Sequence, residues 1–233
     1  LAAAENDDYY VAQTHDLRRS YRLRSEEIHA LRGVDISVNR SEFVTLMGRS
    51  GSGKTTLLNI LAGLDRPTSG TVTVLGHNIG AMSDEQLARM RRENIGIIFQ
   101  SSALMPLLTA TENVELPLRI LGWPRADRER RAHESLEVVA MGHRARHRPY
   151  ELSGGEQQRI GIARAIAPKP ALIIADEPTG ELDSVSAQRI FGLFRSLVDD
   201  ERVTILAATH DRAIIRRADR VLELRDGNLA EHE

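Results

Sequence analysis

Three clusters of residues in this sequence have the types and spacing to do chemistry. Gly48-Arg49-Ser50-Gly51-Ser52-Gly53-Lys54-Thr55-Thr56 follows an apolar run ending at Met47 and precedes an apolar helical pattern over Leu57 to Leu64. Glycines at this spacing let backbone N–H groups turn inward around phosphate oxygens, and the N-terminus of the following helix adds its dipole. In such a loop Lys54 reaches the β- and γ-phosphates of a nucleotide, and the Thr55 hydroxyl ligates magnesium. Of 31 Lys and Arg residues only Lys54 and Lys169 are lysines. A compact ammonium here marks a place where a forked guanidinium would not fit.

The second cluster is Asp176-Glu177, two carboxylates delivered by the apolar run Ala171 to Ala175 at the strand end where open α/β sheets bind ligands. Beside a phosphate loop, Asp176 suits holding magnesium, and Glu177 suits polarising an attacking water as the catalytic base. The third is Leu152-Ser153-Gly154-Gly155-Glu156-Gln157-Gln158-Arg159. Ser153 and Glu156 have capping-box spacing, which leaves the glycine pair and the glutamines unexplained by capping alone.

Positioning these groups takes an α/β fold. Near-continuous apolar runs at 43–47, 95–99, 171–175 and 203–208 read as strands covered on both faces. Alternating stretches over Leu31 to Val38 and Thr71 to Leu75 suit a second, antiparallel sheet with one wetter face. Residues 102–168 carry a helical, Arg-rich pattern and read as a helical lobe inserted in a single domain over 9–233, with residues 1–8 as a loose tail. The formal net charge of −2 opposes general nucleic-acid binding. The absence of cysteine removes disulfides and thiolate metal sites, and fits a reducing compartment. No apolar run approaches the roughly 20 residues of a membrane helix, so a membrane link must run through a partner.

The phosphate loop, the Leu152–Arg159 segment and the stretches "NILAGLDRPTSG", "PLLTATENVELPL" and "DEPTGELDS" occur in the order of the ABC ATPases, which the chain resembles from about Tyr9 to Glu231. Within that family it is most similar to the small subunits of the lipoprotein-release and macrolide-efflux group. The resemblance implies a P-loop core of mainly parallel strands, an antiparallel β subdomain and an inserted helical lobe. It implies ATP and Mg2+ as ligands, ATP hydrolysis, and a peripheral place on the cytoplasmic face of the membrane. It further implies a head-to-tail pair with a second ABC ATPase subunit, in which Ser153, Gly154, Gly155 and Glu156 of one chain and its D-loop Asp183 meet the other chain's ATP. Gln100 takes the place of the Q-loop glutamine that contacts magnesium and senses a membrane permease. His210 takes the place of the switch histidine, and Tyr21 that of the adenine-stacking aromatic. Export, extraction or efflux of a lipophilic or peptide-like substrate is the implied work. A non-transporting ATPase signalling through a permease-like partner would carry the same motor. A chromosome-type ATPase is excluded because no coiled-coil insertion separates the P-loop from Asp176.

Other features read as structural. His143 and His147 have helical i, i+4 spacing, but Arg144 and Arg146 between them oppose a cation, so a solvated face is expected. Arg125 to Arg131 reads as an exposed helix. Ser41 stands where the family often has glycine before a Glu-Phe pair. The apolar residues of 101–108 belong either to the core or to a groove for a permease helix, formed by Leu104, Met105 and Leu107.

Overall fold

The computed structural model describes residues 10–23, 26–180, 182–210 and 215–230. The tail expected over 1–8 lies outside these residues. Two long strands, β1 (Tyr10–Leu23) and β2 (Glu26–Asn39), pair antiparallel. β3 (Phe43–Met47) then turns into helix α1 (Lys54–Leu61). β4 (Ser69–Val74) and β5 (His77–Asn78) complete an antiparallel sheet of order β2-β1-β4-β5. Helix α2 (Asp84–Asn94) leads to β6 (Ile95–Ile98).

The helices α3 (Ala110–Ile120), α4 (Arg125–Val138) and α5 (Gly154–Ile166) follow with no strand between them. The chain then returns through β7 (Leu172–Asp176), α6 (Ser184–Glu201), β8 (Thr204–Ala208), β9 (Arg220–Arg225) and β10 (Asn228–Ala230). The second sheet has order β10-β9-β3-β8-β7-β6, with every pair parallel except the β9–β10 hairpin.

The apolar strands are covered on both faces because their alternate residues enter two different cores. Phe43, Ile173, Ala175, Ile205 and Ala207 pack with α3 to α6. Val44, Leu46, Leu172, Ile174, Leu206 and Leu224 pack with α1, α2 and the antiparallel sheet. Each helix of the lobe that begins at a Ser or Thr is fixed by a reciprocal cap. Thr109 and Glu112 form a capping box on α3, and Ser153 and Glu156 form one on α5.

Several local expectations are corrected. The helical pattern over Leu57 to Leu64 stops at Leu61, because Gly63 takes φ 64° and closes a Schellman motif: Gly63 N–H donates to Ile60 O at 2.9 Å and Leu64 N–H to Asn59 O at 2.8 Å. β1 has no clear signal in the sequence, since its alternation is broken by arginines; Arg18 pairs with Asp16 and Arg19 with Asp65, each at 2.7 Å. His143 and His147 do not share an α-helix: His143 sits in a short 3-10 turn, and the His147 ring lies 3.1 Å from Arg144 Nη1. Helix α4 is not exposed all round. Arg131 donates to Ile166 O and Ala167 O at 3.0 and 2.9 Å, capping α5 from outside. Ser41 adopts φ 54°, as glycine would with less strain, and its hydroxyl donates to Arg202 O at 3.1 Å.

The capping boxes make lobe stability depend on pH. The Thr109 amide and hydroxyl hold the Glu112 carboxyl below its ordinary value of 4.5, and the Ser153 amide and hydroxyl, with Arg144, hold Glu156 below the same value. A depressed carboxyl contributes stability that is present above the unfolded value and lost as pH falls through the folded one. Glu112→Gln keeps the cap's shape but removes the charge at the helix N-terminus. It is expected to lower stability by about 0.3–1 kcal/mol at pH 7, and the gap should close in urea titrations carried below pH 4.5.

Candidate functional site

The loops leaving the C-terminal ends of β3, β6, β7 and β8 meet at one cavity of about 670 Å3. Gly48 to Gly51 and Gly53 to Thr56 form its floor, Gln100, Asp176, Glu177, Gly180 and His210 its inner wall, and Ile28, His29 and Ala30 of β2 its outer edge.

The floor is a backbone surface because side chains are sterically excluded from it. A Cβ on Gly48 would sit 2.4 Å from Leu224 O and from Ser52 Oγ, and one on Gly53 would sit 2.5 Å from Ala30 O. Gly51 is uncrowded but takes φ 79°, so conformation alone favours glycine there. Gly53 caps α1 with no side-chain hydrogen bond, which leaves the first-turn amides to an anion. Ser52 is the one residue of the loop that does not line the cavity. It is buried beneath it, and its hydroxyl has no hydrogen-bond partner among the described residues.

Lys54 is only 8% exposed, and its ammonium donates to Gly48 O at 2.9 Å and Arg49 O at 3.1 Å. The loop's own carbonyls thus hold the cation over the amides. Thr55 Oγ1 donates to Asp176 Oδ2 at 2.8 Å, joining the start of α1 to the end of β7 across the cavity. Glu177 takes a left-handed φ of 47°, and its N–H donates to Ala208 O at 3.0 Å. That conformation is costly for a glutamate and is the kind of strain that persists where surrounding structure fixes it. His210 Nδ1 lies 2.8 Å from Glu177 Oε2, so with a carboxylate acceptor the proton sits on Nδ1.

Thr55, Asp176 and Gln100 present hard oxygen donors. Among the described residues no group of three His, Cys, Asp or Glu side chains could hold a metal. A hard cation therefore fits only with oxygens from a bound phosphate completing its shell, as Mg2+ prefers.

The structure does not bring the remaining sequence candidates to this cavity. Ser153, Gly154, Gly155 and Glu156 open α5, and Asp183 caps α6 by accepting from Val185 and Ser186 N–H at 3.0 Å; neither group lines it. The Ser186 hydroxyl holds the Asp183 carboxyl below its ordinary value. Tyr21 is also absent from the lining. Its hydroxyl donates to Asp65 Oδ2 at 2.6 Å, and the Arg19 guanidinium covers its ring at 4.4 Å. Sequence reasoning missed His29, whose ring nitrogen lies 2.8 Å from Ser20 Oγ. It missed Gly180 as well, where a Cβ would come within 3.2 Å of Gln100 Nε2. His29 carries no local signal, while Gly180 lies within the stretch "DEPTGELDS" but its closeness to Gln100 depends on a segment distant in sequence.

A strand, a glycine-rich loop and a helix, with an Asp-Glu pair at the end of a parallel strand one removed in the same sheet, define a P-loop nucleotide hydrolase. Residues 31–180 match the ABC transporter family. The chain is 41% identical to the lipoprotein-releasing system ATP-binding protein LolD of Hydrogenovibrio crunogenus, over 94% of this chain and 95% of that protein. It is 43% identical to the macrolide export ATP-binding/permease protein MacB of Rhodopirellula baltica, over 95% of this chain and 33% of that larger protein. The dimeric post-hydrolysis structure of the ATP-binding cassette MJ0796, bound to ADP and Pi, superposes with a TM-score of 0.88 at 40% identity, covering 95% of this chain and 97% of that one. The chain belongs to the ATP-binding proteins of the ABC transporter family and is an ATPase of that type.

Removing the ammonium in Lys54→Ala should weaken nucleotide binding by about 10- to 100-fold, the worth of a charge-assisted hydrogen bond. Lys54→Arg should not restore it, because the enclosed space above Gly48 O and Arg49 O suits a point charge. Fluorescence titration with nucleotide measures both.

Proposed function

We propose that this chain hydrolyses ATP between two opposed copies, or between itself and a similar subunit, and so drives a membrane permease that exports or extracts a lipophilic or peptide-like molecule. The observation that carries the reading is a division of labour within one chain. The cavity holds every group that binds phosphate and activates water, while the glycine-bearing start of α5 stands outside it. Gly155 has an internal reason, since a Cβ there would meet Ser186 Oγ at 3.0 Å. Gly154 has none: nothing lies within 4 Å of its would-be Cβ. A glycine that its own chain does not require is explained if a phosphate bound to another subunit approaches that backbone. The MJ0796 cassette is dimeric in its ADP- and Pi-bound structure, which supports a paired arrangement.

Within the site, the loop amides and Lys54 bind the β- and γ-phosphates. Thr55, Asp176 and Gln100 would hold Mg2+, which neutralises phosphate charge when bound. Glu177 accepts a proton from water as the water oxygen bonds to the γ-phosphorus and the bond to the β–γ bridging oxygen breaks, giving ADP and phosphate. His210 fixes the Glu177 carboxylate through Nδ1, and in the imidazolium form its Nε2–H can also donate to the γ-phosphate. The chemistry is mostly positioning, so closing the second half of the site controls the rate.

The permease would dock beside Gln100. Met105 is 53% exposed and Leu107 82%, whereas Leu104 packs against the lobe core. The exposed pair favours a docking groove over the core alternative for this segment, and Leu104 sides with the core. No helix among the described residues is long and apolar enough to cross a membrane, so attachment through a permease places the chain at the membrane surface.

Two outcomes test the reading. Glu177→Gln should bind ATP normally, dimerise with it and hydrolyse it about 10²- to 10⁴-fold more slowly, as expected for loss of a general base; normal turnover would remove Glu177 from that role. Met105→Glu should leave the isolated chain folded and competent for ATP binding but abolish permease-stimulated hydrolysis in a reconstituted complex. Undiminished stimulation would sink the docking assignment.

A further inference from the structure

Gln100 lies in the segment that links β6 to the helical lobe, and that segment is fastened to one face of α5. Gln158, buried, donates from Nε2 to Phe99 O at 3.1 Å. Ser102 Oγ reaches Gln157 Oε1 at 3.4 Å. Gly161 faces Ser102 so closely that a Cβ would lie 3.3 Å from Ser102 O. Arg164 completes the row: Nη2 donates to Ser102 O at 2.8 Å and Nη1 to Ala103 O at 2.7 Å. Residues 157, 161 and 164 follow helical spacing, so a single stripe of α5 holds the whole segment.

The Arg164 contact differs from an ordinary arginine's. Among the described residues many guanidiniums meet a carboxylate, whereas Arg164 forms no ion pair there and turns its fork on two backbone carbonyls. Burial pulls it below its ordinary value, so the charge is kept there at a cost. One of those carbonyls belongs to Ala103, a non-glycine residue held at φ 47°. A strained turn pinned by a partly buried cation is a rigid joint, and α5 is the lever attached to it. Ser153 opens that lever 11 residues before Arg164, about 17 Å away at 1.5 Å per residue.

We infer that Arg164 is a positioning residue that locks the Gln100 segment to α5, so that nucleotide sensed by Gln100 in one site moves Ser153 at the other and the two sites of a pair act together. The inference rests on the paired arrangement proposed above. A single guanidinium thereby links the segment of a chain's own Gln100 to the surface it lends its partner.

The test uses the full chain with Arg164→Lys and Arg164→Gln, since an ammonium cannot hold both carbonyls in the fork's geometry. Nucleotide affinity measured on the isolated chain should change less than about twofold, while saturated hydrolysis falls about tenfold, within the ordinary range of coupling between sites. The Hill coefficient for ATP should drop from about 2 toward 1. In a double-mutant cycle Gln100→Ala with Arg164→Lys should be no slower than Gln100→Ala alone, because both act through one joint. Unchanged cooperativity in a folded Arg164→Lys protein, or effects that simply multiply in the cycle, would overturn the inference. So would loss of folding in both variants, which would make Arg164 a brace and nothing more. Wild-type protein that hydrolyses ATP without pairing would instead overturn the paired reading, and this inference with it.

Discussion

The site depends on how closely the phosphate loop is pressed against its neighbours. Leu224 O of β9 and Ala30 O of β2 occupy the space where side chains at Gly48 and Gly53 would go. The antiparallel sheet and β9, the strand paired beside β3, therefore squeeze the turn from two sides, and only backbone fits between them. With side chains excluded, the groups left facing the cavity are amides, which is what an anion needs. Lys54 follows from the same squeeze. Its ammonium is drawn onto Gly48 O and Arg49 O, loop carbonyls that the curled turn presents on its other side.

The two carboxylates at the end of β7 are fixed both by the sheet and by the start of α1. Asp176, the last residue of β7, accepts from Thr55 of α1, and Glu177 just beyond it donates its N–H to Ala208 O of the adjacent β8. The unfavourable φ of Glu177 is sustained by that N–H bond and by the His210 contact. The helical lobe is held differently. Its helices are individually capped and share one core with α6, but the connection at Phe99–Ala103 is a set of side-chain clasps on α5. Motion between core and lobe is thus expected to concentrate where sheet pairing ends, after Ile98.

Much of this was legible in residue order. The buried parallel strands announced themselves as apolar runs, and the P-loop declared both its motif and its strand-to-helix context. The α5 capping box was readable because its parts lie three residues apart. What escaped was set by distant pairing. β1 is held as a strand by its pairing with β2 and β4, and Arg19 is paired by Asp65 from outside the strand; neither shows in its own composition. Arg128 and Arg131 looked solvent-facing until the carbonyls of Trp123 and of the end of α5 were placed beside them. The position of Tyr21 carries the same lesson: its ring is engaged by Arg19 and Asp65, and the cavity edge falls to β2.

The start of α5 shows what one chain can offer another. Ser153 is committed internally, since its hydroxyl accepts from Glu156 N–H at 3.3 Å and lies 3.0 Å from Glu156 Oε2. Glu156 is likewise engaged, by the Ser153 amide at 2.9 Å and by Arg144 at 3.1 Å, so its negative charge is partly offset before any phosphate arrives. The positive end of the helix dipole and the uncrowded backbone at Gly154 are left over. In the paired arrangement proposed above those features would attract phosphate without specifying a base or a cargo, and a motor built from them would close on nucleotide in the same way whatever its permease carries.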